Sequence, residues 1–159
     1  MLTHENLLQI FDYSDGHLIW KSKRGCRIKA GDIAGCKHYS GYIQITINKK
    51  SYRAHRLVFF WHHGYMPEFI DHIDRNRSNN KIQNLRPATK LQNQGNRAAT
   101  KNNLIGLKGI YWDKTRLKWG ARIGIKGQCK RLGYFESTEK AYAAYSEAAK
   151  KHFGEYAYL

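Results

Sequence analysis

The chain of 159 residues has few cysteines, few acidic residues and no long apolar run, and each shortage excludes something. Its three cysteines contain no C-x-x-C pair, so a disulfide framework and a four-cysteine zinc cluster are excluded and a reducing cytoplasm is expected. No run of about 18 apolar residues occurs, and no apolar segment follows the N-terminus. We therefore expect neither a membrane span nor a secretory signal.

The scarcity of acids leaves a strong positive charge. Twelve Asp and Glu stand against 28 Lys and Arg, which gives a formal net charge of +16. A folded core does not need this excess, which repels itself, and a polyanionic partner is its usual reason. Ribosomal and membrane-surface proteins share the composition, so charge alone indicates nucleic acid only moderately. The length and the 42% hydrophobic content suit one ordinary domain or two small ones.

Hydrophobic spacing and turn residues in the first 97 residues predict a mixed α+β region. HENLLQIF has helical spacing, DGHLIW indicates a turn and a strand, and residues 41–54 indicate a hairpin around NKK. AHRLVFFWHHG indicates a short apolar helix closed by Gly64. After a polar stretch and a strand-like piece, we expect a helix that starts near Pro87, is capped by Thr89 and ends by Gly95.

The last 50 residues predict a second module, a three-stranded antiparallel sheet packed on one helix. The segments KGIYWD, KWGARIGI and KRLGYFE read as strands, and an alanine-rich helix capped by Ser137 follows them and ends at Gly154. Alternation in the middle strand turns Trp119, Ala121, Ile123 and Ile125 to the helix and Lys118, Gly120, Arg122 and Gly124 outward. Residues 101–135 carry nine Lys or Arg and one acid, so the outward face is basic.

The polar stretch DHIDRNRSNN, residues 71–80, is either an Asp- and Asn-rich turn or part of a metal site. The predicted order of strand, polar loop, strand and helix can bring Asp71 and Asn93 together as oxygen ligands of one cation. His72 adjoins Asp71 but points to the opposite side of a strand, so it can act on a water as a base. These parts amount to a phosphodiesterase that uses one metal ion.

The motif DHIDRNRSNNKIQNLR…LQN resembles the phage and homing form of the HNH endonucleases, whose fold is the ββα-metal motif. The resemblance covers residues 41–97 and places the family's general base on His72 and its metal ligands on Asp71 and Asn93. Asn84 falls on the asparagine that braces the loop and helps to orient the base. Many relatives carry histidine where this chain has Asn93, and an amide oxygen favours Mg²⁺ or Mn²⁺.

Several further polar residues can be interpreted either as DNA contacts or as structural residues. Arg75, Arg77 and Arg86, with Lys81, can neutralise DNA phosphates, but a solvated basic loop is nearly as good an explanation. His55 can contact a phosphate, but a packed or capping histidine explains it equally well. We assign these three arginines to DNA binding as an expectation.

The second module resembles the DNA-binding domain of plant ethylene-response transcription factors over about residues 108–156. The resemblance rests on W-x-A-x-I, on L-G-x-F and on the alanine-rich helix, and it implies a sheet that enters the major groove of DNA. A basic face that is merely solvated is the alternative. The positions that the resemblance turns toward the groove are Lys108, Tyr111, Asp113, Lys118, Arg122 and Arg131. Because Tyr111 and Asp113 replace plant arginines, the plant target sequence does not carry over.

Together these observations predict four segments: a mixed region at 1–40, an HNH nuclease core at 41–97, a linker at 98–107 and the DNA-binding domain at 108–159. The predicted function is that of a metal-dependent DNA endonuclease, a phage homing or site-specific nicking enzyme acting in the cytoplasm of an infected bacterium. We expect double-stranded DNA as partner, no membrane, and a monomer that needs no protein partner. The alternatives are a non-catalytic, sequence-specific DNA-binding regulator and an RNA-binding protein.

Overall fold

The computed structural model describes residues 2–99, 103 and 105–159, and its contacts divide the chain into two compact units, Met1–Ala88 and Thr89–Leu159. Both units mix helix and sheet, so the predicted α+β class is confirmed. The elements of the first unit are, in chain order, α1 (His4–Ile10), β1 (Phe11–Ser14), β2 (His17–Trp20), β3 (Cys36–Lys37), β4 (Ile43–Ile47), β5 (Lys50–Arg53), α2 (Ala54–His63), β6 (Phe69–His72), a 3₁₀ turn (Ile82–Asn84) and β7 (Leu85–Ala88).

Antiparallel pairs of neighbouring strands build the first unit around helix α2. β1 pairs with β2, β4 lies between β3 and β5, and β6 pairs with β7. The predicted hairpin around NKK is confirmed, with Asn48 and Lys49 in the left-handed conformation that such tight turns require. The buried apolar side chains of this unit form one cluster, which contains Leu7, Phe11, Leu18, Trp20, Ala34, Ile45, Ile47, Ala54, Leu57, Val58, Phe59, Ile70 and Leu85.

The predicted helix start near Pro87 is wrong. Pro87 lies in β7 opposite Ile70, where its fixed φ is compatible with a strand. The helix begins three residues later at Lys90, after a capping box in which Thr89 and Gln92 satisfy each other's backbone N–H groups. Thr89 as the cap and Gly95 as the end are confirmed.

Residues 1–40 brace the polar loop from one side. The backbone N–H of Ile82 donates to the hydroxyl of Tyr13 (3.1 Å), and Lys81 pairs with Asp15 (2.7 Å). Gly16, in the turn between β1 and β2, has φ +90° and packs closely on the chain at Lys81, because a Cβ there would approach the Lys81 backbone nitrogen to 2.8 Å. The β1–β2 turn therefore fixes the chain immediately after the loop.

The second unit contains the predicted sheet and helix. Its elements are α3 (Lys90–Gly95), β8 (Ile110–Asp113), β9 (Lys118–Ile125), β10 (Gln128–Phe135), α4 (Thr138–Phe153) and a 3₁₀ turn (Gly154–Tyr156). The antiparallel strands follow the order β10-β9-β8. Ala121 and Ile123 are buried with Ala141 and Tyr145 of α4, whereas Arg122 is exposed, so the predicted alternation of β9 is confirmed at these positions.

The boundary between the two units falls between Ala88 and Thr89, nearer the N-terminus than the predicted end of the nuclease core at 97. The functional division of the chain stays a prediction. The proposed linker at 98–107 includes Thr100, Lys101, Asn102 and Leu104, which lie outside the described residues. Across the described part of the chain, no helix has both the length and the apolar character needed to cross a bilayer.

Candidate active site

Strand β6 carries Asp71 and His72 side by side, and its pairing with β7 sets their directions. Asp71 lies opposite Arg86 and His72 lies opposite Leu85. Because successive side chains of a strand alternate, the carboxylate shares one face of the ribbon with Arg86 and the imidazole shares the other with Leu85. The predicted opposition of the two side chains follows from this register.

The imidazole of His72 is buried, with 5% of the residue exposed. Its Nε2 lies 3.2 Å from Oδ1 of Asn80, which is itself buried. An amide oxygen can only accept a hydrogen bond, so Nε2 carries the proton and the ring lone pair is on Nδ1. The ring also meets His55 edge-on, with the centroids 4.9 Å apart. These contacts fix the orientation and the tautomer of the imidazole ring.

Burial lowers the pKa of His72 below its usual value, and the positive charge of Arg77 lowers it further. The hydrogen bond to Asn80 and the charges of Asp74 and Asp71 act in the opposite direction without cancelling the effect. A lowered pKa keeps the imidazole neutral near pH 7. A neutral imidazole is the form that can accept a proton.

Asn84 braces the polar loop through its side-chain amide. Its Oδ1 accepts from the backbone N–H of Asp74 (2.9 Å), and its Nδ2 donates to Asp74 Oδ1 (2.8 Å) and to the Asn79 carbonyl (2.8 Å). That Asn84 also helps to orient His72 stays a prediction, and Asn80 bonds to the ring directly. The sequence offered no means of choosing among the asparagines of the loop, since only the folded turn decides which amide meets the ring.

Asp74 is the centre of the loop. It accepts hydrogen bonds from the backbone of Asn76 (2.8 Å), from Asn79 (2.7 Å) and from Asn84. Burial would raise the pKa of this carboxyl, but these hydrogen bonds outweigh it and hold the pKa below its usual value. The Asp- and Asn-rich composition thus serves a turn, as one reading of the sequence had it, and that turn supports Asn80.

Asp71 and Arg86 form an ion pair with little exposure to solvent. Nε and Nη2 of Arg86 donate to Oδ2 of Asp71 at 3.0 and 2.9 Å. The assignment of Arg86 to DNA binding stays a prediction, and its guanidinium is paired with this carboxylate. A carboxylate has two oxygens, so this ion pair is compatible with a metal ligand at Asp71.

Two arginines flank Tyr42 close to His72. The guanidinium of Arg53 lies 4.1 Å and that of Arg77 lies 5.0 Å from the centroid of the Tyr42 ring, whose centroid is 6.0 Å from that of His72. Arg77 also donates to the Ser40 carbonyl (2.9 Å). Sequence reasoning named Arg77 and missed Tyr42 and Arg53, which lie far from the motif in the chain. Arg75 is exposed in the loop with φ +64°.

His55 is a packed histidine rather than a surface contact for phosphate. It is buried against His72 and Tyr42, and its Nδ1 has no hydrogen-bond partner. Burial, followed by the positive potential of His72, Arg53 and Arg56, lowers the pKa of His55 to about 3. The folded protein therefore keeps this imidazole neutral over the physiological range.

The buried neutral His55 should make stability depend on pH. The unfolded chain binds a proton at residue 55 below about pH 6.5, whereas the folded protein does so only near pH 3. The free energy of unfolding should therefore fall by about 1.4 kcal/mol per pH unit as the pH drops from 6.5, or about 2 kcal/mol at pH 5. Urea denaturation at several pH values measures this slope.

Two variants separate this slope from the general effect of acid. His55→Phe should lose this contribution to the slope, whereas His17→Gln, at an exposed position of β2, should retain it. An identical pH dependence in the wild type and in His55→Phe would show that residue 55 is not the source.

Asn93, the second predicted metal ligand, lies in helix α3 of the second unit, where its backbone N–H donates to the Thr89 carbonyl (3.0 Å). Its pairing with Asp71 stays a prediction. The described residues contain no group of three or more His, Cys, Asp or Glu placed to hold a metal. The predicted site differs from such a cluster, because one carboxylate, one amide oxygen and water molecules would complete it. These hard oxygen donors suit Mg²⁺ or Mn²⁺.

Lys108, which was predicted to face a DNA groove, makes hydrogen bonds within the second unit, and its contact with DNA stays a prediction. Its ammonium donates to the carbonyls of Gly95 (2.6 Å) and Gln94 (3.4 Å) at the end of α3. Burial, and after it the charge of Arg97, lower the pKa of Lys108 to about 8. The alternation argument did not reach this residue, because it precedes the first strand.

The outward face of the second sheet carries aromatic rings with arginines held against them. The ring of Tyr111 lies against Gly120, where a Cβ would clash, and Arg122 lies 5.1 Å from the centroid of that ring. Arg131, the cross-strand partner of Arg122, lies 5.5 Å from the ring of Tyr134. Of the other two predicted groove positions, Lys118 pairs with Glu136 (2.9 Å) and Asp113 pairs with Arg116 (3.2 Å).

Comparison with known proteins shows to which family the chain is related. A family model described as HNH endonuclease matches residues 52–94. Protein 3.8 of Escherichia phage T7 is 37% identical over 81 residues, which cover 50% of this chain and 67% of that protein. The chain belongs to the HNH endonuclease family. An uncharacterized HNH endonuclease of Acanthamoeba polyphaga mimivirus is 30% identical over 121 residues, which cover 74% of this chain and 62% of that protein.

The HNH match confirms the predicted family. Its range, 52–94, lies inside the predicted core of 41–97 and contains the strand, loop, strand and helix that carry Asp71, His72, Asn84 and Asn93. The roles of these residues within the family site stay predictions. No solved structure matches the chain significantly.

Proposed function

We propose that this HNH protein is a metal-dependent DNA endonuclease that hydrolyses phosphodiester bonds with a water activated by His72 and a single Mg²⁺ or Mn²⁺ ion. The observation that carries the proposal is the His72–Asn80 hydrogen bond beside Asp71, inside the segment that matches the family. A phage homing or site-specific nicking role is the finer form of the proposal. The similarity to a T7 protein supports action in the cytoplasm of an infected bacterium.

The chain's own residues would divide the reaction as follows. Nδ1 of His72 takes a proton from the attacking water, while Asn80 holds the opposite edge of the ring. Asn84 and Asp74 keep the loop in the shape that places Asn80. Asp71 and Asn93 would hold the divalent ion, which when bound would neutralise charge on the scissile phosphate and on the leaving oxygen.

Arg77 and Arg53 are suited to bind the DNA backbone next to this site. Both guanidinium groups are held beside Tyr42, and Arg77 is near enough to His72 to depress the pKa of that imidazole. Two cations fixed near the base favour a phosphate in the same place. Arg75, exposed at the turn of the loop, extends the same basic surface.

We further propose that the second unit binds double-stranded DNA through its outward sheet face, as the likeness to ethylene-response factors suggests. Support comes from the basic composition and from the exposed Arg122 and Arg131, which are cross-strand partners. Neighbouring guanidinium groups on a sheet can contact bases or phosphates in a major groove. A monomer that needs no protein partner is part of this proposal.

Arg122→Ala should weaken DNA binding by about 1–3 kcal/mol if the side chain contacts a guanine, and it should relax the preference for one base pair. A titration of labelled cognate and single-substituted duplexes measures both effects. Lys114→Ala, at an exposed position just beyond β8, is the matched control and should weaken all duplexes alike, if at all. Unchanged affinity and unchanged preference in Arg122→Ala would contradict the assignment of this face.

The decisive test of the function is cleavage of DNA. The wild-type protein should convert supercoiled plasmid or phage DNA to nicked or linear product in Mg²⁺ or Mn²⁺, and EDTA should prevent the conversion. Mapping the ends on both strands would separate nicking from double-strand cleavage. Absence of cleavage on every DNA tried, with tight and salt-dependent binding retained, would overturn the endonuclease proposal.

A non-catalytic, sequence-specific DNA-binding regulator is the second candidate. The deep burial of His72 and the ion pair of Asp71 with Arg86 favour it, because both groups have structural partners that do not require a substrate. It predicts binding without cleavage in the same experiment. Preference for single-stranded RNA over duplex DNA would instead favour the RNA-binding alternative.

A further inference from the structure

Trp112 is a large aromatic side chain that is exposed to solvent on the sheet of the second unit. It is 42% exposed on the edge strand β8 and meets Trp119 of β9 edge-on, with ring centroids 5.0 Å apart. An exposed tryptophan held by a second one is a rigid aromatic surface, and burying it against another ring is favourable. The outward face described above, with Tyr111 and Tyr134, does not explain this exposure.

A cleft of about 720 Å³ opens beside these rings. Its principal lining residues are Arg97, Lys108, Tyr111, Trp112, Trp119 and Arg122. Its volume lies in the range of about 300–1,000 Å³ found for small-molecule and cofactor sites. The cleft is therefore large enough to take in a group the size of a nucleotide.

The positive charges that line the cleft favour the binding of an anion. Three of its lining residues are Lys or Arg, and the described lining contains no Asp or Glu. Arg97 and Lys108 are close enough for the charge of one to depress the pKa of the other. Like charges gathered without a carboxylate repel each other, and a bound phosphate would relieve that repulsion.

We propose that this cleft binds a single unstacked nucleotide, whose base stacks on Trp112 and whose phosphate is held by Arg97, Lys108 and Arg122. A flat aromatic surface beside cations has the two features that recognise single-stranded nucleic acid without regard to sequence. The inference rests on the proposed DNA substrate and adds a preference: the second unit should favour DNA that contains an unpaired base. A free mononucleotide has the same chemistry, so the test must separate the two sources.

The test compares two labelled DNA duplexes that differ only by one bulged adenine, in EDTA so that no cleavage occurs. Fluorescence anisotropy should show the wild-type protein binding the bulged duplex about 5- to 100-fold more tightly than the paired one. Trp112→Ala should abolish the preference and leave affinity for the paired duplex within about twofold. Trp112→Phe should keep most of the preference, because a phenyl ring still stacks.

Controls make each outcome decisive. Tyr39→Ala removes an aromatic residue that is 96% exposed in the first unit and should change nothing. Direct binding of labelled deoxyadenosine monophosphate that depends on Trp112, with no preference for the bulge, would keep the site and assign it to free nucleotides. Equal binding of both duplexes together with no such mononucleotide binding would overturn the inference, as would a bulge preference that survives in Trp112→Ala. Plasmid cleavage is measured separately, so failure here leaves the nuclease proposal standing.

Discussion

His72→Ala should lower the rate of DNA cleavage by about 100- to 10,000-fold while leaving DNA affinity nearly unchanged. The imidazole supplies a proton acceptor that alanine lacks, whereas Arg53, Arg77, Arg122 and the remaining basic groups are untouched. Single-turnover cleavage of plasmid measures the rate, and anisotropy in EDTA measures the affinity. The two readouts should separate, because the base acts on the attacking water and contributes little to holding the DNA.

The burial of His72 requires controls for folding. His72→Gln fills most of the vacated space with a side chain that is not a base, so it should be nearly as inactive as His72→Ala with less loss of stability. His17→Ala, at an exposed position of β2, should cleave at the wild-type rate. If a well-folded His72→Gln protein cut at the wild-type rate, another group would have to be the base. Equal losses of binding and cleavage would contradict the division of labour.

Arg86→Met should destabilise the folded protein by about 3 kcal/mol, because it leaves the carboxylate of Asp71 buried without its guanidinium. Methionine has a similar reach and preserves the packing of the arginine stem, so the loss reports mainly on charge. Urea denaturation in EDTA measures the effect. The matched control is Arg27→Met, an exposed arginine of the same unit, which should change stability by less than about 0.5 kcal/mol.

A double variant and a metal titration test the same carboxylate as a ligand. Asp71→Asn combined with Arg86→Met removes both charges and should recover part of the lost stability. If Asp71 binds the divalent ion, Mn²⁺ should stabilise Arg86→Met, where the carboxylate lacks its guanidinium, more than it stabilises the double variant. Equal stability of the wild type and Arg86→Met would show that the ion pair contributes nothing, and an equal response to Mn²⁺ would argue against Asp71 as a ligand.

Local sequence patterns correctly predicted the features that depend on residues close together in the chain. The hairpin around NKK, the helix closed by Gly64, the cap at Thr89 and the alternation of Ala121, Arg122 and Ile123 all follow from periodicity and turn chemistry, and all are confirmed. The motif at residues 71–93 likewise predicted the family. Pro87 shows where a local rule failed, since pairing with β6 outweighed the preference of proline for a helix start.

Features that depend on residues distant in the chain were not predictable. Asn80 bonds to His72, and because several asparagines share the loop, only its folded path decides which amide meets the ring. Arg86 pairs with Asp71 because strand register sets them opposite each other. Tyr42 lies near His72 and holds Arg53 beside it, although both come from an earlier segment of the chain than the polar loop.

The sequence by itself determined the α+β class, the order of the elements, the basic character and the membership in the HNH family. These properties can be predicted from short segments, because hydrophobic periodicity, turn residues, motif residues and charge are visible in each segment without knowledge of the rest of the chain. The tertiary structure alone decided which asparagine bonds to His72, which arginine neutralises Asp71 and that two tryptophans flank a cationic cleft. Hydrogen bonds and ion pairs act over a few ångströms, so a contact between distant residues exists only after the chain has folded.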